Sequence, residues 1–169
     1  MEPFHEYIAE YRELLKNGAV KNAYRGLMEY IMDLRTYFKK KYPDYFVSGS
    51  IYQGYMDMTF FSFFPESIKQ HSLKIAIVFL HEAFRFEAWL VGFNKQIQAK
   101  YWRLLKDSGW NKYHLVPAPQ GTDSILECIL AEDPDFSDLP ALTKQIEHIS
   151  LEFIQDVDGY LSTLKKTGL

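Results

Sequence analysis

The segment LKIAIVFLHEAFRFEAWLVG, residues 73–92, decides the fold of this 169-residue chain. Two runs rich in aromatic and β-branched residues are separated only by HEA, which is too short for the helix that a parallel crossover requires. The segment therefore predicts an antiparallel hairpin. Side chains alternate along its second arm. One face is predicted to be core and the other to carry a charge pair beside a large aromatic ring; the first holds Phe84, Phe86, Ala88 and Leu90, and the second holds Arg85, Glu87 and Trp89.

Strands are also predicted on either side of this hairpin. FVSGSIYQG (46–54) and YMDMTFFSFFP (55–65) resemble an antiparallel pair with a turn at Gly54, which completes a four-stranded meander. After an irregular connection with a short edge strand near residues 113–116, ILECILAE (125–132) predicts a further strand. The sequence thus predicts an antiparallel sheet of about five strands, made of the meander and one or two later strands.

Four long helices are predicted around the strands. Apolar residues recur at helical spacing from Phe4 to Leu15 and again from Ala23 to Phe38, and the two segments are predicted to pack as a helical hairpin. A middle helix begins after Asn94, and a long C-terminal helix begins after Asp138. We therefore expect a single α+β domain, residues 1–169, whose antiparallel sheet is covered by the N-terminal helical hairpin, the middle helix and the C-terminal helix.

Composition and charge exclude several classes of partner. Hydrophobic residues make up 47% of the chain and aromatic ones 17%, which predicts a large aromatic core. The formal net charge of -3 provides no field that would collect polyanions, so no nucleic-acid partner is expected. No run approaches the roughly 20 apolar residues of a membrane span, and the first residues lack a secretory signal pattern. Together with Cys128 as the only cysteine, these features predict a cytoplasmic protein without a membrane partner.

The known catalytic motifs are missing from the sequence. It has neither a glycine-rich phosphate loop nor a GxSxG nucleophile elbow, and its five histidines are scattered without an HExxH pair. No catalytic residue, metal ligand or cofactor is therefore predicted, and enzymatic activity is not favoured.

The charge pair in residues 73–92 is the positive signal for a site. We expect Asp57, placed in a neighbouring strand on the face of Tyr55 and Thr59, to meet Arg85 and Glu87 under the helices. A small polar or anionic ligand would then bind in an aromatic-lined pocket on the sheet. The predicted site consists of Arg85 as anchor, Tyr52, Trp89 and Trp102 as walls, and Asp57, His81 and Glu87 as polar partners.

Three other interpretations of the sequence stay open. Arg85 and Glu87 also fit a structural ion pair or a surface pair that binds nothing. The aromatic surface of GYMDMTFFSFF or the C-terminal helix would serve as a homodimer interface in a protein without a small-molecule site. An enzyme that uses His81 or Glu87 in acid–base chemistry is the third interpretation.

A family resemblance rests on three segments, YPDYFVSGSIYQGYMDMTFFSFFP, KIAIVFLHEAFRFEAWLVGFNKQIQAKYW and ILECILAEDPDF. Together they resemble an uncharacterised family of small bacterial cytosolic proteins, a domain of unknown function, over most of the chain. This resemblance implies one domain and no particular activity. The order of helix, KKKYP and two strands is more loosely similar to frataxin-like α+β proteins, which is an analogy of fold alone.

Overall fold

Six strands form one open antiparallel sheet in the order β1-β2-β3-β4-β6-β5 in the computed structural model, which describes residues 3–167. The strands are Phe46–Val47 (β1), Met58–Phe64 (β2), Leu73–Leu80 (β3), Arg85–Gly92 (β4), His114–Leu115 (β5) and Leu126–Glu132 (β6). The helices are Phe4–Lys16 (α1), Ala19–Lys41 (α2), Glu66–Lys69 (α3), Lys95–Ser108 (α4) and Leu139–Lys166 (α5). The predicted α+β class, with an antiparallel sheet, is confirmed.

The hairpin that the sequence predicts is formed by β3 and β4, and it lies at the centre of the sheet. Its register pairs Leu73 with Gly92 and Leu80 with Arg85, so the whole of both strands is used. The connecting turn brings Phe84 to a φ of 54°, a left-handed conformation that is uncommon for a bulky residue. Because β2 pairs with β3 and β6 pairs with β4, this hairpin positions every other long strand.

The first predicted strand is mostly irregular. Only residues 46–47 of the segment 46–54 are strand, although Tyr52 forms an isolated bridge with Phe60. Ser48 explains the interruption, because its hydroxyl donates to the carbonyl of Ser50 and accepts from the backbone N–H of Ser62. A side chain thus takes the place of a backbone partner, and the ladder ends there.

All helices that bury apolar side chains do so on one face of the sheet. Phe86, Ala88 and Leu90 of β4 share a single hydrophobic cluster with α2, α3, α4 and α5. The opposite face carries a separate cluster of Ala76, Val78 and Trp89, and within residues 3–167 no helical residue joins it. The molecule therefore has two layers, helices on sheet, with the second sheet face left open.

The helix α1 stands apart from both layers. None of its thirteen residues, all inside the described range, is buried, whereas α2 buries five. The expectation that an N-terminal helical hairpin covers the sheet is therefore wrong for α1 and holds for α2 alone. Gly18 separates the two helices with a left-handed φ of 75°. Among the helices of residues 3–167, none has the length and apolar character needed to cross a membrane.

A carboxylate on α5 ties that helix to the end of α2. Glu147 accepts hydrogen bonds from the hydroxyls of Tyr37 and Tyr42 and forms an ion pair of 2.6 Å with Lys41 Nζ. Burial would raise the pKa of Glu147, but the hydrogen bonds from Lys41, Tyr42 and Tyr37 outweigh it, so its pKa is below the usual value.

The lowered pKa of Glu147 predicts an acid-dependent loss of stability. A carboxyl whose pKa is depressed by folding stabilises the protein above its unfolded pKa, and this contribution disappears as the pH falls through the folded pKa. Urea unfolding between about pH 3 and pH 7 should therefore show a steeper loss of unfolding free energy in the wild type than in Glu147→Gln. Parallel pH profiles for the two proteins would contradict the role given to this carboxylate.

Candidate functional site

The open face of the sheet holds a cleft of about 690 Å³. Side chains alternate along β2, β3 and β4, so every second residue points to this face of the sheet. Cross-strand pairing places the apolar ones next to each other. The floor is lined by Phe60 from β2, Ala76 and Val78 from β3, and Trp89 and Val91 from β4. The cleft has the size and apolar lining that are typical of small-molecule sites.

The walls of the cleft come from three separate parts of the chain. One is the first turn of α4, with Lys95, Gln98 and Ala99, and the second is the loop of residues 119–123. The third is the segment before β2, with Tyr52 and Asp57. Gly92 allows α4 to lie close to the end of β4, because a Cβ atom at residue 92 would be 2.6 Å from the backbone nitrogen of Gln98.

Trp89 is held in place by a buried charge pair. Glu87 is 1% exposed and accepts from Trp89 Nε1 at 2.6 Å and from Arg85 Nε at 2.7 Å, one bond on each carboxylate oxygen. Arg85 also approaches Glu132 Oε1 at 3.5 Å. The geometry is that of a satisfied ion pair, which orients the indole from beside the cleft.

Gln98, a residue that lines one end of the cleft, carries a buried and unmatched donor. The side chain is 6% exposed, and its Oε1 accepts from the backbone N–H of Gly92 at 2.8 Å. The remaining amide nitrogen, Nε2, is buried and has no hydrogen-bond partner among residues 3–167. Two lysines, Lys74 and Lys95, line the same cleft, and neither forms an ion pair with a carboxylate of the described chain.

Asp57 lies in a turn and not in a strand. Its Oδ1 accepts from the backbone N–H of Tyr55 at 2.9 Å, and backbone hydrogen bonds from Met58 and Tyr55 lower its pKa. The expected shared strand face with Tyr55 and Thr59 is wrong. Tyr55 is 94% exposed in the turn, whereas Thr59 is fully buried and pairs with the core residue Phe79.

His81 and Trp102 lie outside the cleft. The ring of His81 is hydrogen-bonded to Thr59 Oγ1 at 2.9 Å and stacks against Tyr24 of α2, on the helical side of the sheet. Burial lowers the pKa of His81 against the opposite effect of Asp57. Trp102 donates its indole N–H to the carbonyl of Val116 at 2.8 Å.

The predicted site residues are thus divided among several places. Tyr52, Asp57 and Trp89 line the cleft, and Arg85 and Glu87 lie beside Trp89. The expected convergence under the helices is wrong, because the alternation of β4 turns Arg85 and Glu87 toward the open face. Sequence reasoning missed Lys74, although it alternates with Ala76 and Val78 in β3, and it missed Gln98 and Lys95, which reach the cleft only because α4 folds back at Gly92.

Two further observations bear on the chemistry of the site. Within residues 3–167, no group of three or more histidine, cysteine, aspartate or glutamate side chains is arranged to hold a metal ion. A second concavity of about 430 Å³ lies between α2 and α5, where Tyr30 and Thr143 are hydrogen-bonded to each other at 3.1 Å. We call it the α2–α5 groove.

Comparison with known proteins identifies a family and no individual relative. The family described as Domain of unknown function (DUF7000) matches residues 4–161. Neither the curated proteins nor the solved structures include a match to this chain. The looser similarity to frataxin-like proteins therefore stays a prediction.

Proposed function

The chain belongs to this family of unknown function, and we propose that it is a cytoplasmic binding module that holds a small polar or anionic ligand in the cleft. The observation that carries the proposal is the combination of an apolar cleft floor with a lining residue, Gln98, whose buried Nε2 has no hydrogen-bond partner in the described chain. Small-molecule sites commonly combine a mostly apolar lining with a few polar groups that orient the ligand.

The size of the cleft supports a ligand with a substantial apolar part. Its volume of about 690 Å³ lies within the range of roughly 300–1,000 Å³ that is usual for ligand sites. Covering about 100 Å² of the floor would contribute roughly 2.5 kcal/mol before the costs of association are subtracted. Useful affinity therefore also requires a polar contact, which Gln98 and the two lysines are placed to supply.

Binding is favoured over catalysis because the candidate acid–base groups are engaged elsewhere. Both oxygens of Glu87 accept hydrogen bonds within the ion pair, and His81 lies on the helical side of the sheet. Asp57 lines the cleft, but its lowered pKa keeps it ionised and a poor proton donor at neutral pH.

A thermal-shift screen tests the binding role. Neutral, anionic and cationic aromatic compounds are added to the wild-type protein, and a ligand at about 100 times its Kd should stabilise the folded state by about 2.7 kcal/mol. We expect at least one class to raise the Tm by several degrees. A flat response across the whole panel would overturn the proposal.

Self-association through α1 is a second candidate function. Five large apolar side chains of α1 are exposed, namely Phe4, Tyr7, Ile8, Tyr11 and Leu14. Their spacing places them along one side of the helix, and none of them is buried by the described chain. The C-terminal helix is less favoured as an interface, since α5 already buries eight residues.

Sedimentation equilibrium tests this second candidate through the double variant Ile8→Ser with Tyr11→Ser. If α1 pairs with a second copy, the wild type should exceed its monomer mass of 19.9 kDa at high concentration, and the variant should stay monomeric. Because both residues are exposed, unfolding free energy of the monomer should change by less than about 0.5 kcal/mol. A wild type that remains monomeric at every concentration rejects the interface.

A further inference from the structure

The orientation of the Gln98 carboxamide identifies what its free nitrogen requires. The backbone N–H of Gly92 is a donor and needs an acceptor, so the atom at 2.8 Å from it must be the oxygen Oε1. Nε2 is therefore the free atom, and it can only donate. Folded proteins seldom leave a buried amide donor unmatched, since its desolvation is then uncompensated. A ligand with an acceptor oxygen would satisfy it.

The charges around Gln98 favour an acceptor with a single negative charge. Lys74 lies at the end of β3 that pairs with the Gly92 end of β4, and Lys95 is the first residue of α4. Asp123 precedes β6, whose beginning pairs with the same end of β4. At this end of the cleft, two lysines against one aspartate leave a formal charge of +1, and the positive end of the α4 dipole adds to it. Asp57 makes the net charge of the whole lining zero, but it lies at the far end, next to Met58, which pairs with Leu80.

A carboxylate matches this end of the cleft better than a phosphate. Recognition of a dianionic phosphate commonly relies on arginine forks or on several free backbone N–H groups. Here the first turn of α4 is partly occupied, because Asn94 Oδ1 accepts from the N–H of Ile97 at 2.9 Å. One amide donor and two lysines without an ion-pair partner in residues 3–167 are instead suited to a planar monoanion. The lysines make no ion pair in the described chain, so they can move aside as the ligand enters.

The floor of the cleft next to Gln98 and the lysines favours a ligand that also has a flat apolar part. Val78 follows Lys74 by four positions along β3, a distance of about 13 Å, and the floor between them is flanked by Phe60 and Trp89. Aromatic rings at a floor of this kind stack with other flat rings. One or two fused rings would fit between Lys74 and Val78.

We propose that the cleft binds a small aromatic carboxylate whose ring covers Trp89 and Phe60. A small rotation of the Gln98 side chain then exposes Nε2, which is buried without the ligand, and one carboxylate oxygen accepts from it. This inference rests on the proposed function and names its ligand class. Lys74 and Lys95 supply the positive charge opposite the carboxylate, and Nε2 selects for a hydrogen-bond acceptor.

Three compounds of matched size test the assignment by isothermal titration calorimetry: indole-3-acetate, indole-3-acetamide and tryptamine. They share the ring and differ in a carboxylate, a neutral amide and an ammonium group. The wild type should bind the carboxylate at least about 10-fold more tightly than tryptamine, with the amide between them. Inorganic phosphate at equal concentration should not displace indole-3-acetate.

The variant Gln98→Glu isolates the donor. It keeps an oxygen for the Gly92 N–H and replaces Nε2 by an acceptor, so indole-3-acetate should bind at least about 10-fold more weakly and tryptamine should not. Gln96→Glu is the matched control, because it adds the same charge to the same helical turn at an exposed position. Its effect on indole-3-acetate should remain below about threefold.

The possible failures are distinguishable. Equal affinity of the wild type for indole-3-acetate and tryptamine overturns the carboxylate assignment and leaves the binding cleft intact. Displacement by phosphate identifies a different anion and also overturns it. If none of the three compounds binds, the aromatic carboxylate is rejected, and the thermal-shift screen decides separately whether the cleft binds any ligand. Should Gln98→Glu fail to fold, the wild-type comparison still decides.

Discussion

Replacement of Glu87 by alanine is expected to lower the free energy of unfolding by about 3 kcal/mol. Glu87 is 1% exposed, and its carboxylate is the partner of both Arg85 Nε and Trp89 Nε1. Truncation leaves a partly buried guanidinium without its main counter-ion and a buried indole N–H without an acceptor. Urea unfolding at neutral pH measures the effect as a shift of the midpoint at constant slope.

The second carboxylate near Arg85 is the matched control for this prediction. Glu132 lies 3.5 Å from the guanidinium, and its side chain is 64% exposed. Exposed ion pairs contribute little, so Glu132→Ala should cost less than about 1 kcal/mol. The structural role of the buried pair is contradicted if the two alanine variants lose similar stability.

Replacement of Ala76 by phenylalanine should weaken binding of a cleft ligand at least about 100-fold, which corresponds to about 2.7 kcal/mol. Ala76 lies in the floor between its cross-strand partners Ser62 and Trp89, and its methyl group faces the cleft. A phenyl ring at this position would occupy the space above the floor. Because the ring extends into the cleft and not into the helical core, stability should change by less than about 2 kcal/mol.

The matched control for the filled cleft is Ile129→Phe. Ile129 lies in β6 opposite Glu87, on the same sheet face, and is 46% exposed, but it does not line the cleft. It receives the same bulky aromatic side chain. Calorimetric titration of the tightest compound from the thermal-shift screen should therefore give wild-type affinity for Ile129→Phe. Retained binding in Ala76→Phe would place the ligand elsewhere.

The sheet could be predicted from local patterns because its decisive contacts are local. The short HEA connection allows only a hairpin, and strict alternation separates Phe86 from Glu87 before any tertiary contact is known. The irregular segment after Val47 could not be predicted in this way. It depends on a hydrogen bond between Ser48 and Ser62, which are fourteen residues apart.

The sequence pattern shows that a helix or strand has an apolar face, but it does not show what that face packs against. The apolar stripe of α1 has the spacing of a core helix, yet none of its residues is buried. The spacing shows that the helix is amphipathic and does not show which surface it packs against. Similarly, Trp89 and Phe86 both indicate buried faces of β4, and the sequence does not state which face the helices cover. The structure places them on the side of Phe86.

The candidate site was partly accessible to sequence reasoning. The charge pair of Arg85 and Glu87 indicated the correct face of β4, and Trp89, predicted as a wall, lies in the floor of the cleft. Gln98 gave no signal, since its position depends on the close approach of α4 to Gly92, a tertiary contact. Polar residues that reach a site only through tertiary contacts have no characteristic spacing in the sequence by which they could be recognised.

A heteronuclear NMR titration with indole-3-acetate shows whether the open sheet face is a binding site. Chemical-shift changes are expected to concentrate on the backbone amides of Val78 and Gly92, the side-chain amide of Gln98 and the indole N–H of Trp89. Resonances of α1 and of the α2–α5 groove should remain unchanged. Changes confined to α1 or to that groove, with the cleft resonances unchanged at saturation, would contradict binding at the open sheet face.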